Sequence, residues 1–433
     1  MCYRSASIPA RVFLFCGNYS HADISRKFCP RPGLRLSCFR TYRRTVNLHS
    51  NQIIELLALL PLLIWLYLIS ARGWFWRLHE ETSELTALNH WPRVVAIVPA
   101  RNEAPTIAQT IASLTKQDYP GEFSIIVVDD HSGDDTAHLA LQAAKDVSES
   151  RKITIHQASD LPPGWTGKLC AQNEGIRIAT ASSPEFFWFT DADIVHAPNT
   201  LRRLVSRAEK ESLGLYSLMV LLQAKTFPER LLIPPFLYFF LMLYPPRWTT
   251  LTRKHTAGAA GGCILLRSKA LDAIGGLASM RSEVIDDCAL ANAVKRSGEQ
   301  IEMSLTRSSI SLRSYGTFHE IRDMIARTAF TQLRYSASLL VGTLLGMFLT
   351  YVAPIAFLFV PNSTVRLLGL LTWLLMSFSF FPTVRFYRLS PFWAPLLPVA
   401  ALFYSYATWL SAFRYWGGHG GQWKGRSQAR KQS

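Results

Sequence analysis

Four uncharged, apolar stretches surround a central segment of mixed character, and they limit what the chain can become more than any other feature. Residues 56–71 (LLALLPLLIWLYLISA) carry no charge. With Ile53 and Ile54 ahead of them they reach the roughly 20 residues that cross a bilayer, despite Glu55. A cleaved signal peptide is the competing reading. Arg72, Trp74, Trp76 and Arg77 follow directly and no small-residue cleavage site is present, so a retained anchor is expected. Three more uncharged stretches lie near the other end, at residues 336–360, 367–384 and 392–413, punctuated by Arg366, Arg385 and Arg388. The pattern predicts an integral membrane protein with one span before the middle of the chain and three after it.

Composition agrees. Apolar residues make up 49% of the 433 and charged residues 18%, below the roughly 25% of an average soluble domain. Disorder is thereby excluded for most of the chain. The net charge is +16, and half of that excess lies in residues 1–50, which hold nine Lys/Arg and one acid, Asp23. The remainder is mildly basic, which anionic headgroups or a phosphorylated substrate explain as well as nucleic acid does; no nucleic-acid partner is expected. Seven cysteines show no metal spacing (Cys2, Cys16, Cys29, Cys38, Cys170, Cys263, Cys288), so free or buried thiols in a reducing compartment are the default. Residues 1–50, Arg- and Ser-rich, are either a targeting or membrane-surface arm or an over-long start with the true one near Val46 or Leu48; the second reading is preferred.

Residues 92–330 form a different kind of protein. The β-branched run at residues 93–99 (RVVAIVP) predicts a buried strand, and Ile107, Ile111 and Leu114 repeat at helical spacing after Pro105. Residues 124–128 (SIIVV) predict a second strand, ended by DDHSGDD, and residues 186–189 (FFWF) another, followed by TDAD. Strands alternating with helices, with polar groups at strand ends, predict an α/β domain with a mainly parallel sheet. Ligands of such sheets bind beyond the carboxyl ends of the strands, where these acids fall. A basic tail occupies residues 414–433.

The acids have specific chemistry open to them. Asp129 and Asp130 can accept hydrogen bonds from a nucleobase or ribose, or form a solvated turn. Asp191 and Asp193 stand at period-two spacing, so both carboxylates can point to one side as a strand ends. Two hard oxygen ligands suit Mg2+ or Mn2+ bound to a diphosphate; a helix N-cap at Asp193 is the alternative. Asp286 and Asp287 open a helix, where acids favour the dipole or where one can act as a general base. Gly258, Gly261 and Gly262 in GAAGGC would let backbone approach a substrate or make a tight turn.

Together, VAIVPARNE, VVDDHSGD, FTDAD, GGCILLRSKAL and IDDCALANAVKRSG resemble an inverting family 2 glycosyltransferase of GT-A fold. With GWTGKLCAQNEG and RTAFTQLRYS added, the chain is similar over roughly residues 50–410 to the membrane-bound glycosyltransferases associated with hopene and hopanoid biosynthesis. The resemblance implies that Asp130, with Asp129 beside it, holds the nucleoside of a nucleotide-sugar donor. It makes Asp193 the principal ligand of Mg2+ or Mn2+, assisted by Asp191, and Asp287, next to Asp286, the base. Gly261, Gly262 and Tyr335 fall on the acceptor side.

One departure bears on the product. Processive members carry Gln-x-x-Arg-Trp near an interfacial helix; here Thr331, Arg334 and Tyr335 stand at those places. Arg334 keeps a potential diphosphate contact, and the missing Gln argues for one sugar per acceptor rather than a polymer. Lys168 is a further diphosphate candidate or an exposed loop lysine. Residues 233–246 (IPPFLYFFLMLYPP) are too short to span; a core piece is possible, and an interfacial helix leading a lipid acceptor to the site is preferred. The implied enzyme sits in the inner (plasma) membrane with its domain in the cytosol. The tail charges Arg414, Lys424, Arg426, Arg430 and Lys431 would then lie outside, against the positive-inside tendency, unless one span is re-entrant or miscounted. A processive polysaccharide synthase, a nucleotidyltransferase on a similar sheet and a non-catalytic membrane scaffold remain the competing classes.

Overall fold

The run VVAIVPA has no polar side chain, and in the computed structural model it forms an interior strand of an eight-stranded sheet, buried at every position. The structure describes residues 35–81, 88–145 and 152–418, with 422–423 and 426–427. The expectation for residues 1–34 and for most of the basic tail lies outside them. The strands are β1 (Val94–Ala100), β2 (Phe123–Asp129), β3 (Lys152–Gln157), β4 (Phe186–Thr190), β5 (Ile194–His196), β6 (Leu213–Leu221), β7 (Cys263–Arg267) and β8 (Gln300–Ser311). Their order is β3-β2-β1-β4-β7-β6-β8-β5. The first four run parallel, as does the pair β6–β8, while β4–β7, β7–β6 and β8–β5 are antiparallel. The three segments expected as strands are all found, the first shifted by one residue and the other two extended by two and by one.

The principal helices are α1 (Arg35–Ser70), α2 (Ile107–Thr115), α3 (Thr136–Lys145), α4 (Gly167–Ala179), α5 (Thr200–Lys210), α6 (Phe227–Leu243), α7 (Asp286–Arg296), α8 (Phe318–Ala326), α9 (Ala337–Met347), α10 (Ser363–Phe386) and α11 (Leu397–Trp416). Strand alternation divides the core into two layers. Val94, Ala96 and Val98 share one apolar cluster with Ile107, Ile111 and Leu114 of α2 and Leu201, Leu204 and Val205 of α5. Val95 and Ile97 face the other way, onto Leu169 of α4 and Leu290, Ala291 and Val294 of α7. In register, Ala100 pairs with Asp129 and Asp129 with Gln157, so the carboxyl ends of β1 to β3 finish level.

Four helical segments are long and apolar enough to cross a membrane: Gln52–Ser70, Ala337–Phe357, Ser363–Phe386 and Pro391–Trp416. They match the four expected stretches. Residues 35–50 of the basic arm are helical and continue into the first of these, because neither Gly nor Pro occurs between Arg35 and Leu60. A third apolar cluster joins Met219 of β6 and Leu305 of β8 to α6 and to Met376, Phe380, Ala400 and Tyr404 of α10 and α11. Helix α6 starts at a reciprocal capping box between Thr226 and Glu229. The preference for an interfacial helix over residues 233–246 is corrected here. Ile233, Pro234, Pro235, Leu237, Tyr238, Phe239 and Leu241 are buried, and α6 is a core piece. Two buried hydroxyls fix it: Tyr238 Oη lies 2.6 Å from Ser379 Oγ, and Tyr404 Oη donates to the Leu232 carbonyl at 2.9 Å.

Candidate active site

The turn between β4 and β5 carries Asp191 and Asp193 and is held from three directions. Thr110 of α2 donates to the Ala192 carbonyl at 2.9 Å, and the Leu312 N–H donates to the Asp193 carbonyl at 2.7 Å. Beneath the turn, Thr190 Oγ1 donates to the Gly262 carbonyl at 3.1 Å. Its remaining capacity is to accept from His196 Nε2 at 2.8 Å, which leaves Nδ1 to accept from Ser309 Oγ at 2.8 Å. Burial pushes the His196 pKa down to about 3, so the ring is neutral and structural.

Asp193 points into a polar cluster. Its Oδ2 accepts from Ser311 Oγ at 3.3 Å and lies 3.6 Å from Arg313 Nε, while Arg313 Nη2 reaches Glu103 Oε1 at 3.2 Å. Burial, and then the neighbouring Asp191 charge, pushes the Asp193 carboxyl up to about 6, against the opposing pull of Arg313.

Asp286 and Asp287 occupy the first turn of α7, as expected. Asp287 accepts from the Gly261 N–H at 2.9 Å through Oδ2 and from the Cys288 N–H at 2.7 Å through Oδ1. Burial and the adjacent Asp286 push its carboxyl up to about 6, although Lys168 and the two N–H donors draw it back. Gly261 is glycine for a reason of space: a Cβ there would meet Lys168 Nζ at 3.1 Å and Asp287 Oδ2 at 3.3 Å.

Lys168 is the link between the two acid pairs. Helix α4 begins at Gly167, so the side chain leaves its first turn. Its Nζ lies 2.9 Å from Asp191 Oδ1 and 3.5 Å from Asp286 Oδ2. The reading of an exposed loop lysine is therefore corrected. Burial alone would lower its pKa, and a helix N-terminus disfavours a cation, yet Asp191, Asp286 and Asp287 together raise it and keep the ammonium charged.

These groups line a cavity of about 270 Å³, together with Gly262, Arg327 and Thr328. Six carboxylates face it (Glu103, Asp191, Asp193, Glu283, Asp286, Asp287) against three cations (Lys168, Arg313, Arg327). A second cavity of about 460 Å³ shares Lys168, Asp191, Gly261, Gly262, Asp286 and Asp287 with the first. Its other wall is largely apolar: Phe236, Phe239 and Phe240 of α6, Ile325 of α8, Met347 of α9 and Tyr404 of α11.

The remaining expected residues stand elsewhere. Asp129 and Asp130 are buried rather than solvated, and neither lines either cavity. Asp129 accepts from the Ser132 N–H at 3.3 Å and from its hydroxyl, and Asp130 lies 3.8 Å from Arg101 and 3.6 Å from His131. Arg334 is exposed and outside both cavities. It and Tyr335 both have left-handed backbone (φ 52 and 57), which turns the chain so that Tyr335 stacks on Tyr415 at 4.4 Å between ring centroids. Arg327, at the start of the same RTAFTQLRYS motif, and Arg313 supply the cavity's guanidinium groups instead. Sequence reasoning passed over Arg313, Glu103 and Arg327, although all three lie in or beside the segments it used.

The donor set fits a divalent cation bound with a diphosphate. Among the described residues no group of three or more His, Cys, Asp or Glu side chains is arranged to hold a metal by itself. Asp191 and Asp193 offer two carboxylates from one turn, and Mg2+ is commonly held by one or two carboxylates with substrate phosphates completing its shell. Burial and then the Asp191 charge raise the Asp193 carboxyl, and a bound cation would favour its ionised form.

Residues 95–275 match the model of Glycosyl transferase family 2. An N-acetylglucosaminyltransferase of Rhizobium leguminosarum bv. viciae is 33% identical over 127 residues, 29% of this chain and 28% of that protein. A beta-monoglucosyldiacylglycerol synthase of Trichormus variabilis is 30% identical over 124 residues, 28% of this chain and 25% of that protein. The chain thus spans between a quarter and a third of the length of these relatives. A solved structure of a mannosyltransferase from Pyrobaculum calidifontis, in complex with GDP-Man and Mn2+, aligns with a TM-score of 0.50 at 18% identity, covering 82% of this chain and 99% of that one. This last likeness is one of fold. Residues 95–275 thus match a glycosyl transferase family 2 domain and carry a GT-A fold, in a chain whose described residues include four helices able to cross a membrane.

Proposed function

We propose that the chain is a membrane-bound inverting glycosyltransferase that moves one sugar from a nucleotide-sugar donor to a lipid acceptor, a hopanoid or polyprenoid being the favoured class. The observation that carries this reading is the junction of the two cavities: Asp287 and Asp286 face both the acid-lined space and the apolar one. A lipid lying in the second would present its hydroxyl to Asp287. The Trichormus relative, a beta-monoglucosyldiacylglycerol synthase, supports the lipid class, as does the resemblance to hopene-associated enzymes. Thr331 in place of Gln supports a single addition over a polysaccharide synthase.

In the reaction, Asp287 takes the acceptor proton as the acceptor oxygen bonds to the anomeric carbon and the bond to the diphosphate breaks on the opposite face. Lys168, Arg313 and Arg327 are the cations available to the departing diphosphate. Asp191 and Asp193 would hold Mg2+ or Mn2+, which when bound offsets charge on that leaving group. Asp129 and Asp130 remain the proposed nucleoside side of the site. The test is incubation of membranes with a panel of nucleotide sugars and mass spectrometry of the lipid fraction. A glycosylated lipid with released nucleoside diphosphate is expected. Released pyrophosphate would make the chain a nucleotidyltransferase, and a labelled polymer would make it a processive synthase.

Two further results follow from this reading. With the Asp287 carboxyl at about 6, kcat/KM should be level near neutral pH and fall tenfold per unit below about pH 6, where the protonated base cannot accept. A profile without that acid limb removes Asp287 as the base. The domain should also face the cytosol, with the protein multi-pass in the inner (plasma) membrane. Cys170, Cys263 and Cys288 are buried, so a Lys269→Cys probe, with Cys2, Cys16, Cys29 and Cys38 changed to serine, should resist an impermeant maleimide in intact cells. Labelling from outside would place the domain on the wrong side for nucleotide sugars.

A further inference from the structure

The loop leaving α1 and the segment following α6 meet at Gly73. Its backbone is left-handed (φ +64), and a Cβ there would meet Pro245 Cβ at 2.8 Å and the Trp248 ring at 3.0 Å. Beside this contact lies a cavity of about 690 Å³ that shares no lining residue with the two cavities of the candidate active site. Its one lining carboxylate, Glu302, is engaged by Arg207 at 3.0 Å. Arg77 and Arg247 also line it, are exposed, and make no ion pair among the described residues. Arg253 and Lys254 follow on the same exposed segment.

Tryptophans flank Arg77, Lys254 and the nearby Arg72. The Arg77 guanidinium lies 4.3 Å from the Trp74 ring centroid, and Trp248 has Arg72 and Lys254 each at 4.8 Å. The apolar segment Gln52–Ser70 ends just before Gly73. If that helix spans, the cluster sits at headgroup depth, where Trp and Arg side chains are favoured.

We propose that this pocket binds the phosphodiester headgroup of an anionic membrane lipid, with Arg77 and Arg247 on the phosphate and Trp74 beside the glycerol region. The site rests on the reading of Gln52–Ser70 as a span and not on the glycosyl-transfer mechanism. Its function is to fix the height and tilt of the family 2 domain relative to the bilayer.

The experiment uses the full chain in neutral detergent. Binding of phosphatidylglycerol, phosphatidylcholine and inorganic phosphate is followed by native mass spectrometry and by the thermal midpoint. Phosphatidylglycerol should bind and raise the midpoint, and the zwitterionic lipid should not. Arg77→Gln with Arg247→Gln should weaken phosphatidylglycerol binding about tenfold or more, since each basic side chain adds to attraction at an anionic surface. The same pair changed to Lys should keep most of the affinity, which separates charge from folding. Equal binding of the two lipids by the wild type, or wild-type phosphatidylglycerol affinity in the Gln pair, overturns the proposal. Inorganic phosphate binding as tightly as phosphatidylglycerol would assign the pocket to a soluble ligand and overturn it too. None of these outcomes touches the transferase reading, which is measured separately by nucleoside diphosphate release.

Discussion

Replacing Asp287 with asparagine should lower the rate of sugar transfer by about a hundred- to ten-thousandfold, the range for loss of a positioned general base. Nucleotide-sugar affinity should stay within a few-fold, because the change is nearly isosteric and Lys168 keeps its contacts with Asp191 and Asp286. The variant should also fold. Its wild-type carboxyl is raised by burial and by Asp286, so ionising it at neutral pH costs more in the native state than in the unfolded chain. A neutral side chain removes that penalty, while forfeiting one of the two N–H contacts from Gly261 and Cys288. The two effects oppose each other, and the melting temperature should move little. Steady-state turnover, donor titration and thermal melting separate these terms. Wild-type turnover in Asp287→Asn would take the residue out of the mechanism.

The second large effect concerns Asp193. Asp193→Ala should lose transfer activity and, in the same protein, the dependence of nucleoside diphosphate binding on Mn2+ or Mg2+. Loss of the two together is what a cation bridging carboxylate and diphosphate requires. Arg313 would still pair with Glu103 at 3.2 Å, so the local structure has a remaining anchor. Calorimetric titration of nucleoside diphosphates with and without Mn2+ gives the answer independently of turnover. If wild-type turnover is unchanged in excess EDTA, the metal assignment fails whatever the variant does.

Much of this site was legible before the fold was known, and the reasons are local. Short β-branched or aromatic runs ending in acids, such as SIIVVDD and FFWFTDAD, fixed both strand positions and the sheet edge that carries the acids. What escaped depends on contacts between distant segments. Arg313 and Glu103 are 210 residues apart in sequence and meet only because β8 pairs with β5 and brings its end beside the Asp193 turn. Lys168 could be read as a loop residue because two glycines flank Thr166, although that threonine stands at the helix N-cap. Its retained charge depends on three carboxylates contributed by two other segments. Arg334 stands apart in the opposite sense: the motif is present, but two successive left-handed residues turn the chain there, and Arg334 is exposed and lines neither cavity. The core position of α6 was open to either reading, because its Tyr and Phe content and its place before GAAGGC suit a bilayer interface as well as a core; the hydroxyls of Tyr238 and Tyr404 show what it packs against.

The ammonium of Lys168, held between Asp191 and Asp286, makes this cluster an internal salt. On the proposed reading, admission of a divalent ion with its nucleotide would be an exchange of counter-ions rather than the filling of a bare anionic hole. A cation taken up at Asp191 would compete with an ammonium contact of 2.9 Å. An ion accompanied by a diphosphate would then have the advantage, because the displaced ammonium would gain a new anionic partner at the same moment.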